Sequence, residues 1–410
     1  MTVLGIIADD FTGATDVATM LRRSKHQVAV VIEDGDLPAE QLSRLDAVVI
    51  ALKTRTAPLD EAVTSSRNAL QRLRAWGATR YYVKYCSTFD STPRGNIGPI
   101  LDALCNDLGV TRCIAVPSLP ANGRTVYQGH LFVGSELLED SSMRDHPLTP
   151  MTESKVASLL QAQSTHPVGE ISLPTVRQGP ARLRQVLAAS TDRYVVIDAI
   201  DDTDLRTIAA ATAGDTLVSG GSGLALGMSG PGTLNDSWTP PPSGRGAILC
   251  GSVSRASLAQ VAHVSKTQPV RQVDISTALA DPEGTAVRLA LWVSDQPAGS
   301  TPVICAARSL RDVRQHVDGT EVAPAVEQVM ALLARKLLTH GITALVVAGG
   351  ETSGAVVREL GIGVLHIGPE LAPGVCWSTA EVEKRPIALA LKSGNFGHED
   401  FFSTAWESLA

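Results

Sequence analysis

Short apolar runs of strand length recur along the chain and alternate with segments whose apolar residues follow the helical period. The first is Val3-Leu4-Gly5-Ile6-Ile7-Ala8, and others occupy residues 28–32, 47–52, 80–85, 112–116, 194–199 and 216–220. Runs that are apolar on both faces predict strands buried from both sides rather than half-exposed ones. Between them lie helix-length stretches such as 15–23, where Val17, Ala18 and Leu21 share one face. Strand, helix, strand in repetition predicts an α/β fold with a largely parallel sheet flanked by helices.

The pattern breaks once. From Met228 to Gly244 the chain is rich in Gly, Pro and Ser and has no apolar period, and the alternation then restarts at 247–250 and continues through 302–305, 344–348 and 387–391. A length of 410 residues is ample for two domains. The expected division is therefore a domain over residues 1–236, a linker over 237–245 and a second domain over 246–410, each built on a largely parallel sheet.

Composition narrows the function classes. Hydrophobic residues make up 44% and charged residues 19%, an ordinary globular mixture. A net charge of −7 argues against nucleic acid or anionic membrane as partners. Six cysteines are scattered without a C-x-x-C pair, so neither a zinc site nor a disulfide framework is expected. Cys86 alone sits in a polar, motif-like stretch, where a small buried residue at a strand end is the expected reading. No basic-plus-apolar leader opens the sequence and no apolar run approaches membrane-spanning length, so a cytoplasmic protein is expected.

The chemistry gathers where strands end. The first strand runs into Asp9-Asp10-Phe11-Thr12-Gly13-Ala14-Thr15-Asp16. A helix cap needs one carboxylate, and this turn supplies three acids. In an open α/β sheet, ligands bind outside the carboxyl ends of the strands. The run ending at Lys84-Tyr85 leads into Cys86-Ser87-Thr88-Phe89-Asp90-Ser91-Thr92-Pro93-Arg94-Gly95-Asn96, where Lys84, Ser87 and Arg94 suit a small anion such as a carboxylate. The strand ending at Val116 adds Asn122 and Arg124 to the same edge, while His130 and His146 lack a metal-like spacing.

The second half differs in kind. Residues 344–357 read as a strand, a Gly349-Gly350 turn, and a helix opening with Glu351, Thr352 and Ser353. Amides at a helix start, approached closely over glycine, form an anion site suited to phosphate. The turn matches neither G-x-G-x-x-G nor G-x-x-x-x-G-K-[ST]. Two more Ser/Gly turns follow strands, Gly251-Ser252-Val253-Ser254 and Lys392-Ser393-Gly394-Asn395-Phe396-Gly397, and Gly220-Gly221-Ser222-Gly223 in the first half is a further candidate. Several such turns in one domain point to a polyphosphate such as ATP. An acidic edge in one domain and a phosphate cradle in the other suggest phosphoryl transfer with ATP and Mg²⁺, an Asp orienting or deprotonating the attacking hydroxyl.

Five motifs, Ile7-Ala8-Asp9-Asp10-Phe11-Thr12-Gly13-Ala14, Lys84 to Thr92, Pro120-Ala121-Asn122-Gly123-Arg124-Thr125, Gly349-Gly350-Glu351-Thr352-Ser353 and Ala390 to Gly397, together resemble the four-carbon acid sugar kinases over essentially the whole chain. The resemblance implies a substrate-binding N-terminal domain, a nucleotide-binding C-terminal domain and an active site in the cleft between them. It implies ATP contacts at Ser252, Ser254, Gly349, Gly350, Glu351, Thr352 and Gly394, and substrate contacts at Asp9, Asp10, Lys84, Ser87, Arg94, Asn122 and Arg124. Asp9 and Asp10 are both candidates for the catalytic carboxylate. The implied reaction is phosphorylation of the terminal 4-hydroxyl of a 3-oxo-tetronate, with D-threonate or D-erythronate as alternative acceptors. Small-molecule acid and ATP are the implied partners, and a homodimer is compatible with them. A non-catalytic sugar-acid sensor is the reading from another class, and the nucleotide-type turns have no purpose in it.

Overall fold

The computed structural model describes residues 3–146, 149–230, 238, 240–241 and 244–409. Two compact units divide the chain, residues 1–236 and 237–410. The stretch read as a linker, 237–245, lies partly outside the described residues, and its Trp238 packs on the core of the second unit.

In the first unit the strands are β1 (Val3–Ala8), β2 (Val28–Ile32), β3 (Ala47–Ala51), β4 (Ala78–Lys84), β5 (Cys113–Val116), β6 (Arg124–Tyr127), β7 (His130–Val133), β8 (Glu136–Leu137), β9 (Val168–Ile171), β10 (Tyr194–Ile197) and β11 (Leu217–Gly220). Eight of them form one sheet in the order β2-β3-β1-β4-β11-β5-β10-β9, with every pairing parallel. The continuous apolar runs explain this: β2, β3, β5 and β10 are buried at every position, which only a sheet covered on both faces permits. The helix Phe11–Arg23 supplies one cover, and it is buried from Phe11 to Leu21.

Strand order fixes where a ligand can sit. The chain leaves β1 for β2, returns through β3 beside β1, and then crosses to β4 on the other side of β1. The register sets Ala8 level with Ala51 on one side and Lys84 on the other. Connections therefore diverge between β1 and β4, opening a crevice at the carboxyl ends of both strands.

A small antiparallel sheet, β6-β7-β8, is absent from the sequence expectation. Its first hairpin turns at Gln128 and Gly129, both at positive φ (51° and 75°). Asp198 accepts from both turn amides, at 2.8 and 2.9 Å, so a residue read only as part of a strand holds the hairpin in place.

The second unit contains β12 (Arg245–Cys250), β13 (Val270–Gln272), β14 (Val303–Cys305), β15 (His316–Val317), β16 (Thr320–Glu321), β17 (Ile342–Ala348), β18 (Val364–Ala372), β19 (Val375–Val382) and β20 (Arg385–Lys392). Its sheet runs β13-β14-β12-β17-β20-β19-β18, parallel from β13 to β20 and antiparallel through β19 and β18, while β15 and β16 form a separate ribbon. The parallel part matches the alternation read from the sequence. The antiparallel meander turns on Glu383 and Lys384, at φ 49° and 65°, a pair without the Asn or Gly that normally marks such a turn. Among the described residues no helix is long and apolar enough to cross a membrane.

Trp377 on β19 anchors the core of this unit. It is fully buried, its ring lies 5.5 Å from that of Trp406, and its indole N–H donates to Ala405 O at 2.8 Å, tying down the C-terminal segment. Trp377→Ala should destabilise the second unit by about 4 kcal/mol through the cavity and the lost bond. Chemical denaturation followed by fluorescence should show that loss, and a wild-type midpoint would contradict this account of the core.

Candidate active site

The carboxyl end of β1 is acidic because two different needs meet there. Asp10 caps the helix Phe11–Arg23, its Oδ1 accepting from Gly13 N at 2.5 Å. Asp9 does not cap. Both its oxygens accept from the guanidinium of Arg55, Nε to Oδ2 at 2.8 Å and Nη2 to Oδ1 at 2.9 Å, a bidentate fork. Arg55 also places Nη1 3.0 Å from Asp10 Oδ2 and 3.7 Å from Asp90 Oδ2. One cation thus joins acids that follow two different strands.

Arg55 is held in place by backbone. It lies in the loop after β3, where the amides of Thr54 and Arg55 donate to Asp9 O at 3.0 and 3.3 Å. Asn96, buried after β4, clamps the loop from the other side, its Nδ2 donating to Thr54 O at 2.7 Å and Ala57 O at 2.9 Å. The sequence places Asn96 in the anion-binding loop, where it instead clamps backbone, and does not single out Arg55. The rule that selects strand ends would have found Arg55 had it been applied to β3.

Electrostatics follow from this packing. Burial raises the Asp9 carboxyl above its ordinary range, and the Arg55 fork opposes the shift without cancelling it. Burial also pushes Asp90 upward, yet Arg55 and hydrogen bonds from Thr88 and Cys86 outweigh it and hold Asp90 below the usual carboxylate range. Burial alone would weaken the Arg55 charge, but Asp10 and Asp9 drive its pKa well above the ordinary arginine value. Burial pushes the Cys86 thiol up to about 12, so it stays protonated near neutral pH, although its side chain is partly rather than fully buried.

Lys84, the last residue of β4, is buried; its Nζ donates to Tyr85 O at 2.7 Å and faces Gly13, where an added Cβ would come within 3.2 Å. Asp16, one and a half turns into the helix, accepts from Ser222 Oγ at 2.6 Å through Oδ2, and burial raises its pKa. Its Oδ1 is buried without a partner, as are Ser118 Oγ, Asn122 Nδ2 and Arg124 Nε. Buried polar atoms are rarely left unpaired, so a group of them beyond the ends of β1 and β5 is what a polar ligand would satisfy. Ser87 is buried beside Gly221. Arg94 is not brought in: it is exposed and joins none of these bonds, because the loop turns it away while fixing its neighbour Asn96. The turn at Gly220 and Gly221 serves close packing, since an added Cβ would meet Val116 O and Pro117 O, each at 2.4 Å.

In the second unit the three Ser/Gly turns follow β12, β17 and β20, which are neighbours in the sheet. They are laced together. Ser252 N donates to Ala348 O at 3.1 Å, Gly349 N to Lys392 O at 2.8 Å, and Ser254 Oγ to Gly394 O at 2.7 Å. Gly349 adopts φ +118° and has no side chain to cap the helix Gly350–Glu359, leaving a helix start suited to an anion. A Cβ on Gly394 would lie 2.5 Å from Ser252 Oγ. Thr352 is buried against Gly251, while Gly350 is exposed at the start of the helix and Glu351 half-buried beside it. Among the described residues no group of three or more His, Cys, Asp or Glu side chains could by itself hold a metal ion.

The fold and these two clusters define a class, a protein with a sugar-binding unit followed by a nucleotide-binding unit. Residues 4–228 match the family described as a sugar-binding N-terminal domain, and residues 247–402 that described as a nucleotide-binding C-terminal domain. The chain is 43% identical to a 3-oxo-tetronate kinase of Salmonella typhimurium, with 99% of each chain covered. It is 44% identical to one of Cupriavidus necator, covering 99% of this chain and 97% of the relative. A crystal structure from Salmonella typhimurium LT2, carrying a provisional tRNA synthase label, superposes with a TM-score of 0.87 at 42% identity over 100% of both chains. The chain belongs to the four-carbon acid sugar kinase family.

Removing the shared cation tests how far the acidic edge depends on it. Arg55→Met should cost about 3 kcal/mol at pH 7, because it leaves partly buried carboxylates unpaired. The cost should shrink as the pH falls and the carboxyls protonate. Asp90, whose pKa is depressed in the fold, contributes stability at neutral pH that disappears as the pH falls through that lowered value. Denaturation at several pH values measures both effects; equal loss at all of them would argue against an electrostatic origin.

Proposed function

We propose that this protein phosphorylates the terminal 4-hydroxyl of 3-oxo-tetronate with ATP, giving 3-oxo-tetronate 4-phosphate and ADP. The observation that carries the reading is the match along the full length to relatives named 3-oxo-tetronate kinase. Two features of the chain support it. The first unit offers unpaired buried donors, Asn122 Nδ2, Arg124 Nε and Ser118 Oγ, together with the acceptor Asp16 Oδ1, a set suited to the carboxylate and hydroxyls of a small sugar acid. The second offers glycine turns at which a Cβ would intrude.

In this reading Asp10 faces the hydroxyl. Asp9 has both oxygens committed to Arg55, and Asp90 is held by Thr88 at 2.6 Å and by Arg55. Asp10 spends Oδ1 on Gly13 N; its Oδ2 lies 3.0 Å from Arg55 Nη1 and accepts from Thr12 Oγ1, but its side chain is the most exposed of the three acids. It accepts the proton of the 4-hydroxyl as the bond from O4 to the γ-phosphorus forms and the bond from that phosphorus to the β-phosphate oxygen breaks. Asp9 is the positioning residue that fixes Arg55, and Lys84 supplies positive charge beside the developing phosphate ester. Mg²⁺ bound with ATP would neutralise phosphate charge. With all six cysteines free, a cytoplasmic setting fits the reaction.

Purified protein with ATP and Mg²⁺ should form ADP with 3-oxo-tetronate in preference to D-threonate or D-erythronate, and turnover on none of the three would refute the reading. Asp10→Asn keeps the helix cap, because an amide oxygen can still accept from Gly13 N, but removes the base. Its kcat should fall about 100-fold or more with ATP affinity unchanged. Gly394→Val should force Ser252 aside and weaken ATP binding by about tenfold or more, measured by calorimetry, while leaving the first unit's binding of sugar acid intact.

A further inference from the structure

Lys392 closes β20 and is fully buried. Its Nζ donates to three main-chain carbonyls, Ser393 O at 2.9 Å, Gly394 O at 3.0 Å and Phe396 O at 2.9 Å, with Ser257 Oγ at 3.5 Å and the Phe402 ring centroid 6.0 Å away. No carboxylate pairs with it among the described residues. A buried ammonium normally has a carboxylate partner, since burial of an uncompensated charge is costly. A methionine would fill the space without that cost, so the charge itself calls for a reason.

We propose that Lys392 is a positioning residue for ATP, shaping the 393–397 turn from beneath and supplying a positive charge whose counter-charge is the nucleotide's polyphosphate. The inference rests on the reading of the Gly394 turn as an ATP contact. Lys392 draws three carbonyls of that turn inward. Ser254 and Ser257 add hydroxyl donors to Gly394 O, at 2.7 and 2.9 Å, and Gln260 adds its amide to Phe396 O at 3.0 Å. With its carbonyls fixed on the inner side, the turn keeps one backbone path, and Gly394 stays beside Ser252 and Ser254. The carbonyl of Lys392 itself receives Gly349 N, so the residue also joins this turn to the helix start after β17.

The arrangement makes ATP affinity depend on a proton. Burial lowers the Lys392 pKa to about 8. The titratable group facing it from β12 is the Cys250 thiol, which burial pushes up to about 11 and which is therefore neutral in the working range. Ser257 and Gln260 from the helix Arg255–Val264 and Phe402 from the C-terminal helix do not titrate. Because the phosphates favour the ammonium, affinity is full below the free protein's Lys392 pKa and is lost as the pH rises through it.

Calorimetry of Mg·ATP binding to the full-length wild type from pH 7 to pH 9.5 should show Kd rising above pH 8, approaching about tenfold per pH unit. Lys392→Met should bind about 30-fold more weakly at pH 7, with a flat pH profile, a raised KM for ATP and kcat at saturating ATP within about threefold of wild type. Ethylammonium should restore part of the affinity of Lys392→Ala. A wild-type Kd that stays flat across this range overturns the inference even if the variants fail to fold. So does a folded Lys392→Met that binds within threefold of wild type while Gly394→Val has lost ATP. If Gly394→Val binds ATP normally, the reading of the turn fails and the inference with it.

Discussion

The acidic edge of the first unit exists because one guanidinium stands among its carboxylates. Asp9, Asp10 and Asp90 come from the ends of β1 and β4, and Arg55 from the end of β3 reaches all of them. Without it, like charges in a partly buried crevice would raise one another's pKa until some protonated. The constraint is geometric as well as electrostatic. A fork that occupies both oxygens of Asp9 fixes the plane of that carboxylate, and the two amides on Asp9 O with the Asn96 clamp fix the fork's own loop.

How much of this could be read from sequence depends on the range of each interaction. The strands were legible because runs such as residues 28–32 and 47–52 are apolar throughout, which leaves a covered parallel sheet as the natural outcome. Asp9, Asp10 and Lys84 were legible because polar residues directly follow such runs. Arg55 was not singled out, since Lys53-Thr54-Arg55-Thr56 resembles any solvated basic loop, and only the strand order reveals that its partners come from two other strand ends. Arg94 shows the opposite case. It has the right chemistry in the right loop, but the backbone between Pro93 and Asn96 aims it outward. The β6-β7 hairpin and the β18-β19-β20 meander escaped because at three of their five positive-φ turn positions, Gln128, Glu383 and Lys384, the residue is not one that advertises a turn.

The second unit is organised on a different principle. Its turns are set by main-chain carbonyls drawn toward buried donors, Lys392, Gln260, Ser254 and Ser257. A motif can show that a lysine precedes Ser-Gly-Asn-Phe-Gly. It cannot show that the ammonium points under the turn rather than out toward a ligand, because both uses leave the same residues in the same order.

The two units divide the charge that phosphoryl transfer has to manage. A base for the hydroxyl must be anionic, whereas a polyphosphate must be approached by cations and amide dipoles. Carboxylates beside the nucleotide would repel it, and an uncompensated ammonium beside the base would hold its proton affinity too low. In this chain Arg55 and Lys84 partly offset the acids at the end of β1, and the edge stays net acidic. In the inference drawn for Lys392, the buried cation of the second unit lacks a carboxylate because its counter-charge is carried in on the nucleotide. In the proposed reaction, placing the acids in one unit and the unpaired cation in the other spares the phosphate-binding turns the repulsion that carboxylates among them would exert on the nucleotide.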